Sequence, residues 1–496
     1  MVAWSPQLQL PTCGFEYSRR IWGRRAPRLP IVCSSSQSNL QNGGDKPPHR
    51  ARCEGENVIL VERYGNGTAK RFIVDDDFQV RTFLEENKPT CNKSQETQFS
   101  NTFLYSVPDV IKDFILPAGF PGSVSDDYLQ YMLLQFPTNV TAWICHTLVT
   151  SSLLKAVGIG SFSGSAAAAS AAAIRWVAKD GIGAVGCLFI GGRFGNIFDD
   201  DPKQWRLYAD FIGSAGSIFD LTTPLYPAYF LPLASVGNLA KAIARGLKDP
   251  SFRVIQNHFA ISGNLGEVAA KEEVWEVVAQ LLGLALGILI LDTPGLVRSY
   301  PVLAITWLGV RLLHLWLRYQ SLSVLQFDTI NLKRARILVK SHVLHSTVPG
   351  YVDCNREENI LLWQRFMKPR IVFGVPLEGF MGGERSVSML KSLLKLYEKE
   401  KYILVVNQQE IEFEVFVSFK VGATSVSVLR SVWQTYWLHE HGKGIDNAFD
   451  QLATSLSELE NSFGDFIQQL HQTGWDTNEI NLKVPKEITI DELGPV

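Results

Sequence analysis

Hydrophobic and polar positions alternate at helical spacing along most of this chain, and the pattern is densest between Val274 and Leu317. There the sequence reads VWEVVAQLLGLALGILIL, then DTPGLVRSYP, then VLAITWLGVRLLHLWL. Two apolar segments of helical length flank a Pro/Gly turn, which predicts an antiparallel helical hairpin. The first segment carries no charge from Val277 to Leu291. That is short of the roughly 20 apolar residues a spanning helix needs unless Val274 to Glu276 are drawn in. Ala279, Gly283 and Gly287 recur every fourth residue and lay a groove of small side chains along one face, the arrangement by which helices pack closely where lipid removes the hydrophobic drive.

Charge is sparse well upstream of this pair. From Tyr128 to Phe198 the charged residues are Lys155, Arg175, Lys179, Asp180 and Arg193. Tyr128–Leu154 has none, and Pro137 is expected to divide it into two helices. Ala156–Ile174 is a second charge-free run, with Ser161, Ser165, Ala169 and Ala173 at i, i+4 spacing. Leu221–Ala240 is a third, interrupted by Pro224, Pro227 and Pro232, and Lys241 and Arg245 before Gly246 suit a helix C-terminus. Such runs fit tightly packed helices of a soluble α-domain or a bundle embedded in a bilayer, and their number favours the bilayer.

After Ser321 the pattern turns soluble. Asn331–Val343 reads as a basic helix (Lys333, Arg334, Arg336, Lys340) suited to a membrane surface, a partner or solvent. Strands are predicted over Arg370–Gly374, Tyr402–Asn407 and Ile411–Phe416, with helices over Arg385–Lys399 and Ala423–His439, giving a small α+β domain with an antiparallel sheet. Asn447–Leu470 is an amphipathic helix with Phe449, Leu452, Leu456, Leu459 and Phe463 on one side, free to dock on this chain or on a partner helix. Near the other end, Asn57–Glu62 and Ala69–Val74 around Gly65-Asn66-Gly67 suggest a hairpin. The expected fold is therefore mainly α. A charge-poor, membrane-associated helical domain (101–345) precedes the α+β domain (346–440) and an amphipathic tail (441–496), and a polar segment (45–100) leads in.

Composition sharpens this reading. Charged residues are 19% of the 496 and net charge is −2, which argues against a nucleic-acid partner. The seven cysteines are scattered without CxxC or metal-ligand spacing, so neither a disulfide framework nor a metal is expected. His439-Glu440-His441 lacks the helical spacing of HExxH. Residues 1–44 hold Arg19, Arg20, Arg24, Arg25 and Arg28 against the single acid Glu16, followed by a serine patch, the composition of an organelle transit peptide. Ile31-Val32-Cys33 matches a plastid processing signal with cleavage near Cys33.

Candidate chemistry is thin. Gly181-Ile-Gly183-Ala-Val-Gly186 forms a GxGxxG, but an Ala-rich helix rather than a strand precedes it, which disfavours a dinucleotide site and suggests a helix cap. Arg193 with Asp199, Asp200 and Asp201 makes a charged loop. Asp201 before Pro202 has the form of an N-cap, and the group could also form a polar site at a helix mouth. Arg311 and His314 share a face of the second hairpin helix with Arg318. Pairing across the turn sets Glu276 and Gln280 as their partners, in a seam that either fixes helix register or contacts a small ligand. Trp307 and Trp316 read as packing or interface anchors.

Four segments look familiar together: Leu116-Pro-Ala-Gly-Phe-Pro-Gly122, Ala178-Lys-Asp-Gly-Ile-Gly183, Trp205-Arg-Leu-Tyr-Ala-Asp210 and the helix around Asn257–Ala270. They resemble the Root UVB sensitive family over roughly residues 100–440. The resemblance implies a membrane-associated protein, plastid-targeted in many plant members and able to act in pairs with another family protein. It also implies links to early seedling development under UV-B, auxin distribution and vitamin B6 homoeostasis. It supplies no catalytic residues and implies no cofactor. A non-enzymatic membrane factor is the leading expectation and a carrier of a small, unidentified metabolite the alternative. An enzyme working from the Arg193/Asp199 loop lacks a nucleophile–base pair.

Overall fold

The computed structural model describes residues 58–63, 69–74, 80–85, 108–157, 200–293, 299–363, 366–376, 387–407, 413–442, 447–485 and 488–492, with single positions between 173 and 192. The leader with Cys33, the Ser161/Ala169 stripe, most of the GxGxxG, Arg193 and Asp199 lie outside these residues.

At the start, β1 (Val58–Arg63) pairs antiparallel with β2 (Ala69–Val74), as the hairpin pattern predicts, and β3 (Val80–Glu85) adds to β2 with Phe72 opposite Thr82.

The helical part comprises α1 (Asp109–Ile115), α2 (Tyr128–Val157), α3 (Pro202–Thr222), α4 (Phe230–Phe259), α5 (Leu265–Asp292) and α6 (Tyr300–Ser323). Pro137 does not divide α2. Thr138 and Thr141 hydroxyls donate to the Leu134 and Pro137 carbonyls at 2.7 and 3.1 Å, binding up backbone acceptors around the proline. Likewise α4 does not end at Gly246 but runs through Pro250, where Ser251 Oγ donates to the Leu247 carbonyl at 2.8 Å.

The hairpin expectation needs correcting in one respect. Both α5 and α6 take α2 as their main partner. Helix α5 runs parallel to it, with Gly283 at Val140 and Gly287 at Thr147, while α6 runs antiparallel, with His314 at Thr141 and Arg318 at Gln135. The α5 groove fits α2 closely: a Cβ on Gly283 would sit 2.6 Å from Trp143 Cβ and 2.7 Å from the Val140 carbonyl. Leu303 and Trp307 of α6 pack with Ile144, Leu148 and Ala279 around the same helix. A second glycine contact joins antiparallel α3 and α4, where a Cβ on Gly216 would lie 2.6 Å from the Gly237 carbonyl.

The C-terminal part contains α7 (Leu332–His345), α8 (Tyr351–Glu357), β4 (Arg370–Phe373), α9 (Val387–Leu396), β5 (Tyr402–Asn407), β6 (Glu414–Lys420), α10 (Ser425–His441), α11 (Ala448–Gln472) and β7 (Thr489–Ile490). The sheet is mixed rather than antiparallel: β5 pairs antiparallel with β6, while β4 and β7 pair parallel to it. A short strand after α11 returns beside β6, a connection that local patterning does not show. Phe463, Phe466 and Leu470 of α11 are buried with Trp433 and Leu429 of α10, so the amphipathic tail docks on its own domain.

Candidate functional site

Polar groups in the apolar bundle converge on Asp210. This residue and Arg206 stand four apart on α3, and both belong to the Trp205–Asp210 segment. The Asp210 carboxylate accepts from Arg318 Nε at 2.6 Å and lies 3.2 Å from Arg206 Nη1 and 3.5 Å from His314 Nε2. His314 Nδ1 donates to the Thr138 carbonyl at 3.0 Å, and Arg318 donates to Gln135 Oε1. Arg311 donates through Nε to Ser214 Oγ at 2.6 Å and through Nη2 to the Asp210 carbonyl at 2.8 Å. Arg206, His314 and Arg318 are each 1% exposed, so this is an interior network and not a solvated seam.

The expected partners of Arg311 and His314 are therefore wrong. Glu276 and Gln280 do not meet them, because α2 stands between α5 and α6 and the polar face of α6 turns to α2 and α3. The charge of Glu276 reaches Lys248 on α4 instead. Pairing across the turn leaves out Asp210, which comes from α3. An i, i+4 Arg/Asp pair in a charge-poor helix is the signal that would have found it.

Beside this network lies a cavity of about 520 Å³ between α2, α3, α4 and α6, within the range of small-ligand pockets. Cys145 and His146 of α2, Asp210, Ser217 and Asp220 of α3, Lys241, Arg245 and Lys248 of α4, Arg311 of α6, and Asp180 all line it. Lys241 is ion-paired to Asp220, and Asn238 Nδ2 donates to Asp180 Oδ1 at 3.3 Å.

A second charged cluster joins the bundle to the C-terminal part. Asp201 caps α3, its Oδ1 accepting from Gln204 N at 3.1 Å, and its other oxygen lies 2.7 Å from Lys333 Nζ. Asp200 is 3.6 Å from Lys483. These two aspartates thus serve as cap and tether rather than as a polar mouth. Lys203 Nζ lies 3.2 Å from Glu358 and donates to Asn355 Oδ1 at 2.8 Å, while Arg334 reaches the same Glu358 oxygen at 3.1 Å. Burial would push the Glu358 carboxyl up, but Arg334 and Lys203 outweigh it and bring it down to about 2. Lys333, Arg334 and Arg336 are all buried and Lys340 is exposed, so three of the four basic side chains expected to face solvent or a membrane point inward instead. Only its interior contacts explain these charges. Among the described residues no three His, Cys, Asp or Glu side chains are placed to hold a metal ion.

Comparison with known proteins decides the family. Residues 103–346 match the "Vitamin B6 photo-protection and homoeostasis domain", and residues 347–486 match "Root UVB sensitive protein, C-terminal". The chain belongs to the Root UVB sensitive family. It is 64% identical to Protein root UVB sensitive 5 of Arabidopsis thaliana over 93% of each chain. It is 30% identical to RUS family member 1 of Dictyostelium discoideum, covering 62% of this chain and 56% of that one. With Protein root UVB sensitive 2, chloroplastic, of Arabidopsis thaliana it shares 24% identity, covering 73% and 81%. No solved structure matches it. In this Root UVB sensitive protein the Lys203/Glu358 cluster ties the two family regions together, with Asp201, Lys203, Lys333 and Arg334 from the first and Asn355 and Glu358 from the second.

Proposed function

We propose that this Root UVB sensitive family protein is a membrane-associated, non-enzymatic factor in vitamin B6 homoeostasis. One observation carries the membrane part. Helices α5 and α6 are long and apolar enough to cross a bilayer, yet only 17% of each one's most apolar window is buried in the protein. A core helix of a soluble protein would bury most of that window. Leu281, Ile288 and Leu289 of α5 and Ile305, Leu312 and Trp316 of α6 each stand more than half exposed. Contiguous apolar surface of this kind calls for a covering phase, and lipid suits two helices whose inward faces are filled by small and polar side chains. Alkaline carbonate extraction tests it: the full chain should stay in the membrane pellet, and release to the supernatant would refute an integral attachment.

The vitamin B6 part is supported by the description of the matched domain. The 520 Å³ cavity favours a second reading, a carrier or holder of a small metabolite. Uptake of labelled pyridoxine into proteoliposomes above protein-free controls supports the carrier, and its absence leaves the non-transporting factor. Plastid targeting rests on the Arg-rich leader. A reporter carrying residues 1–60 should enter plastids, and cytosolic retention would reject it. A role in seedling development, UV-B response and auxin distribution, paired with another family protein, is tested by complementation of a null mutant and by co-purification.

A further inference from the structure

The cavity wall carries more positive charge than the nearby carboxylates balance. Lys241, Arg245 and Lys248 fall on one face of α4 at i, i+4 and i+7 and line the cavity with Arg311. The lining acids are already engaged. Asp220 holds Lys241, Asp180 accepts from Asn238, and Asp210 is shared by Arg206 and Arg318. The side chains of Arg245 and Lys248 make no hydrogen bond or ion pair with any described residue. The acids whose charge reaches Lys248 are Glu276 and the shared Asp210, at longer range. Among the described residues, and counting Arg206 and Arg318 behind Asp210, six cations meet the carboxylates of Asp180, Asp210, Asp220 and Glu276. A recessed ammonium without a counterion is costly, and a surplus of two charges is what a phosphate monoester, at about −2, neutralises.

We propose that this cavity binds the phosphate group of a small phosphorylated metabolite, with Lys248 and the solvent-exposed Arg245 as its principal contacts and Arg311 as a fixed donor from α6. Ser214 and the Asp210 carbonyl already hold Arg311 in place, so its ordering cost is met before a ligand arrives. Donors come from two different helices, α4 and α6, and three cationic side chains suit the several oxygens of a phosphate better than the two of a carboxylate. The inference rests on reading the cavity as a metabolite site and adds the chemical class of its ligand.

Full chain in neutral phosphatidylcholine nanodiscs is titrated calorimetrically with inorganic phosphate, pyridoxine 5′-phosphate and pyridoxine. The alcohol form is chosen because it has no aldehyde to condense with lysine. Pyridoxine 5′-phosphate should bind at least about 10-fold more tightly than pyridoxine, and Lys248→Met should weaken it roughly 10- to 100-fold, the loss of one charged hydrogen bond. Lys248→Arg should restore most of the affinity, and Lys340→Met on exposed α7 surface should change nothing. Equal binding of pyridoxine and its phosphate, or an unaltered Lys248→Met, overturns the proposal, as does failure of both phosphates to bind. Inorganic phosphate that binds through Lys248 while the vitamer binds no more tightly upholds the anion site and removes vitamin B6 as its ligand. Displacement of bound phosphate by nanodiscs containing phosphatidic acid assigns the site to a lipid headgroup and overturns the metabolite form.

Discussion

Replacing Gly283 with Ala asks how tightly α5 and α2 are joined. The added Cβ would lie 2.6 Å from Trp143 Cβ and 2.7 Å from the Val140 carbonyl, where ordinary contact begins at 3.4 Å. Neither neighbour is the tip of a flexible side chain, so the helices must separate locally by roughly 0.8 Å, a gap that forfeits a quarter to a half of each dispersion contact across it. Overpacking of this kind costs about 1–3 kcal/mol. Replacing a helical glycine by alanine returns about 0.5–1 kcal/mol of backbone entropy, so the net loss is about 0–2.5 kcal/mol, centred near 1. Gly309 of α6 supplies the control, because nothing lies within 4 Å of the place an alanine methyl would take there. Gly309→Ala keeps only the entropic gain and should stabilise by about 0.5–1 kcal/mol. Unfolding of both variants in mixed SDS/neutral-detergent micelles, followed by far-UV circular dichroism, should therefore move in opposite directions. A Gly283→Ala variant as stable as Gly309→Ala would show that α5 does not seat on α2 through this groove.

Other expectations concern the C-terminal half. Glu358→Gln keeps the side-chain volume but leaves Lys203 and Arg334 buried without their shared carboxylate, and should cost about 3–5 kcal/mol in chemical unfolding; an unchanged midpoint would contradict the clamp. Because the Glu358 carboxyl is depressed to about 2, its stabilisation is present above the ordinary carboxylate range near pH 4.3 and is lost as pH falls toward 2. The gap between wild type and variant should close over that interval. His342 is held below its ordinary value by burial, against the pull of Asp465, while Trp433 Nε1 donates to its Nδ1 at 3.2 Å. Its contribution is present above about pH 6.5 and lost as pH falls through the lower folded value. A loosening of α10 and α11, read by near-ultraviolet circular dichroism, should follow below pH 6.5 and be absent in His342→Gln. Leu459→Ala, at a fully buried position of α11, should cost about 2–5 kcal/mol, whereas Glu460→Ala beside it should stay within about 0.5 kcal/mol in the same melts.

Periodicity alone was enough for the helical class, for both apolar helices and for the face of α11 that docks. It also marked the Ala279/Gly283/Gly287 stripe, because small residues at i, i+4 spacing have few other uses in an apolar helix. What it could not supply was the third partner. A hairpin assumption places α5 against α6, and nothing local to residues 274–317 reveals that α2, more than 100 residues earlier, stands between them. The same limit hid the destination of Arg311, His314 and Arg318, since Asp210 and Ser214 come from another helix. In α7 a basic composition suggested solvent or lipid, but Glu358 and Asp201 bury two of those charges. Net charge along a segment is local; its compensation is not.

Apart from the Lys241–Asp220 and Asn238–Asp180 contacts, several polar contacts of the bundle gather at one end, and this bears on how it would meet a membrane. Lys271 and Trp275 near the start of α5 donate to carbonyls of α1, Arg318 near the end of α6 holds Asp210, and Lys203 at the start of α3 holds Glu358. Most of the exposed apolar positions lie away from that end, from Val277 to Leu289 on α5 and from Val302 to Trp316 on α6, with Leu265 and Tyr319 the exceptions on these two helices. The C-terminal part is tied to the polar end through the Lys203/Glu358 clamp, so a bilayer covering the apolar belt would leave it in water. The charge-free length of α5, Val277–Leu291, rises about 21 Å at 1.5 Å per residue, against a hydrocarbon core of roughly 30 Å. A crossing would therefore draw in Trp275 at one end, where Gln256 of α4 donates to Glu272 at 2.6 Å and the charge of the half-buried Glu276 reaches Lys248. On this geometry α4 does two jobs with one face: its cations offset the acids of α5 and line the cavity. An anion entering that cavity would share with Glu276 the charge of Lys248, which no described carboxylate holds at ion-pair distance.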